Sequence, residues 1–512
     1  MLTITDVTWL NLLCLTGVGV YLVKQVLIKK NPKPYPPGPR GWPLIGNVLD
    51  MPRVKRLKLW LTFTEWGQKY GGITHVEVLG RHIIVLNSVK TAMEMMDRKS
   101  ISYSDRPVLP MVGELVGWKT SLPFLSYGDR LRRQRKDIQR VIGSRAAVGV
   151  YNEIEEVETL RFLKRVLAKP DRLQEHVRHT AGAVILRISH GYEVKENDDP
   201  FVDLADRTVS QVSHGQLGNF MVDILPFLAK VPAWFPGAGF KRIAREWSGT
   251  LKEMVSTPHE FVKDQMVAGI APTSFTSNLL ERSNISAEED DIVKWSAFAL
   301  YAGGSDTTVS AIYSLFLAMT LFPDVQKKAQ AEIDAVVGPD RLPSFADREY
   351  LPYTEALVKE VLRWSVIVPT GAPHCVNKDD IHDGYYIPKG SIIMPNIWFM
   401  LNDPQTYANP SQFNPERFLA KDGKEPETEP RTICFGFGRR ICPGIHLAEA
   451  SIWISAAMSL AVFDISKVIE NGVEITPEVE TLPGVIGHPK PFKCSIKPRS
   501  ATALGLIEQD AN

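Results

Sequence analysis

Among the 512 residues, the run Phe435-Gly436-Phe437-Gly438-Arg439-Arg440-Ile441-Cys442-Pro443-Gly444 has the clearest capacity for chemistry, and it leads straight into the apolar stretch Ile445 to Phe463, which reads as a helix. Gly438 and Gly444 remove side chains on both sides of Cys442, so backbone there can approach a flat, bulky partner closely. A porphyrin is such a partner. A cysteine at a helix start also lies where unsatisfied N–H groups and the helix dipole favour the thiolate, the form that binds metal. Arg440, two residues earlier, suits a carboxylate such as a haem propionate. Taken alone, the same cysteine reads as a buried free thiol in a turn. The five cysteines, Cys14, Cys375, Cys434, Cys442 and Cys494, contain no C-x-x-C pair, which argues against a structural zinc site.

A second stretch breaks the rules of its own element. Gly303-Gly304-Ser305-Asp306-Thr307-Thr308 falls in the centre of a long apolar helical pattern that opens on Glu288, Glu289, Asp290 and Asp291 and ends near Pro323. Each glycine costs a helix about 1 kcal/mol, and a local conflict of this kind is where function is expected. A second membrane-crossing helix or a harmless kink are the other readings, and an acid at mid-span argues against the membrane. A widened helix with a free threonine hydroxyl offers a groove for a small diatomic ligand and a donor to pass it protons.

Three weaker signals accompany these. Glu360 and Arg363 lie three residues apart on one helix face, which alone is most often a surface ion pair. The segment 127–136 reads as a basic helix start containing Arg135. Pro369 to His374 reads as an extended strand lining a pocket, and Tyr385 to Gly390 as a turn into the next strand.

The cysteine run matches F-x-x-G-x-R-x-C-x-G at all five fixed positions, Phe435, Gly438, Arg440, Cys442 and Gly444. In this it resembles the haem-binding signature of the cytochrome P450 family. The glycine-rich stretch matches that family's (A/G)-G-x-(D/E)-T-(S/T) element in full, and Glu360-x-x-Arg363 with Pro415-Glu416-Arg417-Phe418 resembles two further elements. The resemblance implies a mainly α-helical fold with small β-sheets at one side, and haem b held through Cys442. It implies that Thr307 hydrogen-bonds oxygen at the iron and Asp306 helps deliver protons, while Ala302 and Gly303, with Pro369 and Thr370, border the substrate. Glu360, Arg363 and Arg417 would form a buried network behind the haem loop. Arg135 matches the arginine of a W-x-x-x-R pattern that holds a haem propionate, although Leu131 stands where the tryptophan usually is. His374 falls where the family frequently contacts a propionate; a satisfied structural histidine is the alternative.

These motifs need positioning elements, and the chain supplies them in order. From Thr74 to Leu86 the pattern alternates around Gly80-Arg81, which reads as a hairpin, so a small sheet precedes the helices. Helical periodicity dominates from about Val141 to Ser286. An apolar loop from Leu225 to Gly237, with Phe227, Trp234 and Phe235, reads equally as buried or as dipping into a membrane interface. Residues 49–498 are expected to form one large unit, with 499–512 a C-terminal tail. Hydrophobic residues make up 44% and charged ones 23%, enough for a sizeable core, and the net charge of +1 argues against nucleic-acid binding. An odd number of scattered cysteines suits a reducing compartment.

At the N-terminus an apolar run from Val7 to Val23, extendable to Ile28, is long enough to span most or all of a bilayer of roughly 30 Å. No basic residue precedes it and no small-residue cleavage site follows, so residues 1–30 read as an uncleaved anchor rather than a signal peptide. Lys24, Lys29, Lys30, Lys33 and Arg40 follow the run, which places the body in the cytosol, and the family resemblance implies that the membrane is that of the endoplasmic reticulum. Residues 31–48, with Pro32-Lys33-Pro34-Tyr35-Pro36-Pro37-Gly38-Pro39, read as a stiff hinge. Asn284-Ile285-Ser286 is a glycosylation sequon that a cytosolic body leaves unmodified.

The P-P-G-P hinge with Ala233-Trp234-Phe235-Pro236-Gly237 resembles fungal, basidiomycete members of the family. By that resemblance the protein inserts one oxygen atom of O2 into a lipophilic small molecule, a secondary metabolite or xenobiotic. The thiolate ligand pushes electron density onto iron and favours O–O cleavage. With no flavin or nicotinamide domain after the haem loop, electrons are expected from NADPH through a separate cytochrome P450 reductase, with cytochrome b5 as a further donor. Arg132, Arg133, Lys136, Lys327, Lys328 and Arg439 are candidates for its basic docking face. A haem-thiolate isomerase or dehydratase, and a haem-binding sensor or carrier without turnover, are the rival readings. The intact Asp306-Thr307 pair speaks against the first.

Overall fold

The apolar pattern from 287 to 321 does become one helix, and the fold is arranged around it. The computed structural model describes residues 31–52, 58–216, 220–282, 285–420 and 423–509, together with Thr16 and Gly19. The expected anchor over residues 1–30 and the sequon asparagine Asn284 lie outside the described residues, Thr16 and Gly19 apart. In chain order the longer helices are α1 (Leu59–Tyr70), α2 (Asp129–Ile142), α3 (Asn152–Ala168), α4 (Leu173–His190), α5 (Pro200–Gln216), α6 (Phe240–Val267), α7 (Ala287–Leu321), α8 (Pro323–Val336), α9 (Pro352–Trp364) and α10 (Ile445–Val462). A shorter one, α11 (Ala501–Glu508), follows. The segment read as a C-terminal tail therefore carries a helix, whose Leu506 and Ile507 are buried in the core.

Helix α7 starts where its chemistry says it should. Ser286 and Glu289 form a capping box, each side chain accepting from the other's backbone N–H, and Glu288, Glu289 and Asp290 put negative charge at the positive end of the dipole. Phe322 leaves helical geometry and Pro323 opens α8. From Val309 to Thr320 every side chain of α7 is buried, against Phe162 and Leu163 of α3 and against Trp453, Ile454 and Ala457 of α10. Burial of large apolar side chains at about 1.5–3 kcal/mol each is what holds these helices, since the C-terminal part of α7 and all of α10 are buried on nearly every side. By length and composition α10 could cross a membrane, but 78% of it is buried inside the protein, so it is a core helix.

The predicted hairpin forms as β1 (Ile73–Val78) and β2 (Arg81–Leu86), antiparallel, with Ile73 opposite Leu86. Four further strands follow between α9 and the cysteine loop: β3 (His374–Cys375), β4 (Asp380–His382), β5 (Tyr385–Ile387) and β6 (Ile392–Pro395). β6 runs parallel to β2 and antiparallel to β3, giving a four-stranded sheet ordered β1-β2-β6-β3. The extended strand expected from Pro369 to His374 is shorter than predicted. Only His374 and Cys375 pair; residues 369–371 turn at Gly371, whose φ is +58°. The proline-rich segment is not a free spacer, for Tyr35 stacks on His75 at 4.6 Å and the Pro37 carbonyl accepts from His75 N–H at 2.9 Å.

Candidate active site

One cavity of about 450 Å3 collects most of the residues that the sequence singled out. The cysteine loop and the start of α10 contribute Phe435, Gly436, Arg440, Cys442, Gly444 and Leu447; α7 contributes Ala302, Gly303, Gly304, Thr307 and Thr308. Apolar groups such as Leu131, Phe298 and Ile367 fill in the walls.

The loop holds Cys442 by its own backbone, with the Cys442 N–H donating to the Phe435 carbonyl at 2.8 Å. Burial raises the thiol's pKa, offset by a bond from the Gly444 backbone N–H and by the Arg135 charge. The helix start therefore does not by itself make a thiolate here; a bound metal ion would, by deprotonating the thiol it ligates. The two glycines named in the sequence have different reasons. Gly438, at φ +56°, does not line the cavity: a Cβ on it would lie 2.1 Å from the Met96 carbonyl oxygen, so it is needed for packing of the loop on its neighbour. Gly444 does line the cavity, an added Cβ meeting only the Cys442 sulfur at 3.8 Å, and so does Gly436, at φ +79° with nothing within 4 Å of an added Cβ, which sequence reasoning passed over.

The same division appears in α7. An added Cβ on Gly304 would meet Ile185 of α4 at 2.8 Å, whereas one on Gly303 would meet nothing within 4 Å and would narrow the cavity. The helix is continuous through both glycines. The Thr307 hydroxyl is not free as expected; it donates to the Gly303 carbonyl at 2.7 Å, leaving its oxygen as an acceptor at the cavity. Asp306 lies apart from the main cavity. Its carboxylate bonds to His488 at 3.1 Å and sits 3.8 Å from Arg178, which itself pairs with Asp206. A step of 100° per residue turns Asp306 away from the face that Thr307 presents. His488 and Arg178 carry no spacing signal that sequence reading could have used.

Pro369 and Thr370, expected to border the substrate, are not among the lining residues. Their neighbours Ile367, Val368, Gly371 and Ala372 are. Pro369 is buried, and its carbonyl accepts from Trp398 N–H at 2.9 Å, because the chain turns here instead of running extended. The loop from 225 to 237 does not line the cavity either, and Phe227, Trp234 and Phe235 are exposed.

Three guanidinium groups and a histidine converge on the cavity. Arg440 donates to the carbonyls of Ser104, Leu122 and Leu125, and Arg106 to those of Ala372 and Pro373. Arg135 of α2 has no hydrogen bond or ion pair among the described residues. Burial pushes the Arg106 pKa down to about 9 and that of Arg440 to about 10, with the charges of Arg135 and, for Arg106, Arg440 adding to the effect. His374 bonds through Nδ1 to the Tyr103 carbonyl at 2.7 Å and is held neutral by burial and by Arg106. Arg106, missed in the sequence because nothing in Asp105-Arg106-Pro107 marks it, also has a buried Nε without a partner. Cations this poorly compensated suit a dianionic group such as a haem with its two propionates, and the thiol faces the same space. The residues fit the cofactor.

Behind the loop, Glu360 accepts from Arg363 at 2.7 and 2.8 Å, from Arg417 at 3.2 Å and from the Asn414 N–H at 2.8 Å. All three side chains are buried.

Comparison with known proteins decides what this arrangement belongs to. The sequence model of the Cytochrome P450 family matches residues 36–496. The chain belongs to the cytochrome P450 family. Its relatives include Cytochrome P450 monooxygenase 208 of Postia placenta, 53% identical over 498 residues that cover 96% of each chain. Cytochrome P450 monooxygenase claR of Ampulloclitocybe clavipes is 46% identical over 510 residues, 99% of this chain and 93% of the relative. Cytochrome P450 monooxygenase ppsD of Aspergillus oryzae is 42% identical over 504 residues, 97% and 94%. The first two sources are basidiomycete fungi. This P450 is accordingly a monooxygenase, and its family's cofactor is haem.

Proposed function

We propose that this P450 binds haem through Cys442 and inserts one atom of O2 into a lipophilic small molecule, hydroxylating it. The observation that carries the reading is the meeting of Cys442, Gly303 and Thr307 in one largely apolar cavity edged by under-compensated arginines. Arg135, Arg106 and Arg440 bind the propionates, with His374 placed beside them. When bound, the thiolate-ligated haem supplies the activation of oxygen. Thr307 holds a proton donor near that chemistry through its hydroxyl, and Asp306, positioned by His488 and Arg178 on the far side of α7, exchanges protons with solvent. Ala302, Ile367, Val368 and Phe298 exclude water and select apolar substrates, with one methyl group worth about 1–3 kcal/mol of preference.

Electrons come from NADPH through a separate reductase, docking on the exposed Arg132, Lys136, Lys327 and Arg439, while Arg132 also pairs with Asp129, Arg133 with Glu288 and Lys328 with Glu416. Residues 1–30 anchor the protein in the endoplasmic reticulum membrane, and the exposed Phe227, Trp234 and Phe235 rest against its surface. The substrate is a secondary metabolite or a xenobiotic.

The test is the reduced, carbon-monoxide difference spectrum of the membrane-bound protein made alongside a reductase, followed by NADPH-dependent oxygen uptake. A strongly red-shifted Soret band, lost in Cys442→Ala, is expected. A band at the ordinary histidine-haem position in the unaltered protein would sink the reading.

A further inference from the structure

Away from the cavity, the fold brings together three side chains from two segments distant in sequence, Glu94 on one and the neighbours His382 and Asp383 on the other. Glu94 lies on the π-helical turn Met93–Arg98, His382 ends β4, and Asp383 begins the turn into β5. His382 Nε2 is 3.8 Å from a Glu94 carboxylate oxygen and 3.6 Å from one of Asp383, and the three ligand atoms all lie within 4.8 Å of one another. These separations are too long for hydrogen bonds. They approach the spacing of roughly 3.3–3.6 Å between neighbouring ligands of a tetrahedral ion with bonds near 2.0–2.2 Å.

His382 is only 5% exposed, and its Nε2 is buried with no hydrogen-bond partner. A buried polar atom left unpaired is costly, so an imidazole nitrogen aimed between two carboxylates calls for an occupant. Lys99, bonded to the same hairpin, is committed to Asp380 at 2.7 Å and to the Ile381 carbonyl at 3.1 Å.

We propose that Glu94, His382 and Asp383 form a binding site for a divalent transition-metal ion of the zinc class, with water completing its coordination. One imidazole and two carboxylates from three-sided approach suit zinc better than magnesium or calcium, which take oxygen ligands almost alone. The site joins the β4–β5 hairpin to the turn that carries Met96, the residue on which Gly438 of the cysteine loop packs. Metal binding thus clamps the hairpin to the support of the loop.

The experiment uses the full-length, tag-free, haem-loaded protein, dialysed against micromolar zinc sulfate with excess magnesium, with zinc and iron then quantified by emission spectrometry. About one zinc per iron is expected, with affinity at least ~10-fold lower in His382→Ala and in Glu94→Gln and the visible spectrum of the haem unchanged. Should His382→Ala fail to fold, Glu94→Gln decides, since that side chain is 25% exposed and tolerates the change. Zinc retained by Glu94→Gln at the level of the unaltered protein, or no saturable zinc in either, would overturn the site.

Discussion

Arg363 and Arg417 lie buried beside Glu360, and every guanidinium nitrogen of both has an acceptor: Glu360 itself, Glu427, or the carbonyls of Leu401, Ala408 and Gln412. Arg106, Arg135 and Arg440 line the cavity with carbonyls or with nothing, and no carboxylate bonds to any of their guanidinium groups among the described residues. Both groups bury positive charge. The first neutralises it inside the protein, so its purpose is served once the chain folds; the second keeps its charge uncompensated, which is tolerable only where an anion from outside completes it.

That contrast can be broken by mutation. Glu360→Ala strands the buried Arg363 and leaves Arg417 with Glu427 as its one carboxylate, and should cost about 3–5 kcal/mol, seen as loss of folded, haem-retaining protein on expression and in thermal unfolding. If it unfolds no more readily than the unaltered chain, the network is not structural. Thr307→Ala leaves both arginine groups alone and should keep haem and stability, while product formed per oxygen consumed falls roughly 10²-fold, read by comparing oxygen uptake with product.

Arg135→Ala should do the reverse of Glu360→Ala: the protein folds with unchanged or slightly higher stability without haem, yet loses haem about 10-fold more readily to a haem-scavenging protein. Equal haem retention would remove Arg135 from the propionate site. The smallest effect tests a third way of handling buried charge. Glu155 lines the cavity, and burial pushes its carboxyl up to about 8 against the opposing influence of Ser451 and Arg348. The folded form thus holds a proton that the unfolded chain gives up near pH 4.3. Stability from this group is present below that pH and declines as pH rises towards about 8. Glu155→Gln should flatten that slope in denaturant titrations between pH 5 and about 8; an unchanged slope would mean that the acid is ionised in the fold.

Much of the site was legible because its pieces are local. The cysteine loop, the Gly303–Thr308 stretch, the Glu360–Arg363 pair and the β1–β2 hairpin each span a few residues, so spacing alone marks them. The errors came where a neighbour from elsewhere in the chain sets the role. Gly438 serves Met96, Gly304 serves Ile185, Thr307 is already bonded to Gly303, and Pro369 turns inward to Trp398.

The sequence by itself marked the cysteine loop, the glycine-interrupted helix and the hairpin, since these depend on residue chemistry at short, regular intervals, and through them the family resemblance that implied the class of fold. Only the tertiary structure decided which cations stay uncompensated, that Asp306 is held by His488 and Arg178, and that Glu94 meets His382 and Asp383. Each of those facts is a distance between segments separated by more than a hundred residues, and such distances arise only when the apolar faces of the helices and sheet are packed together.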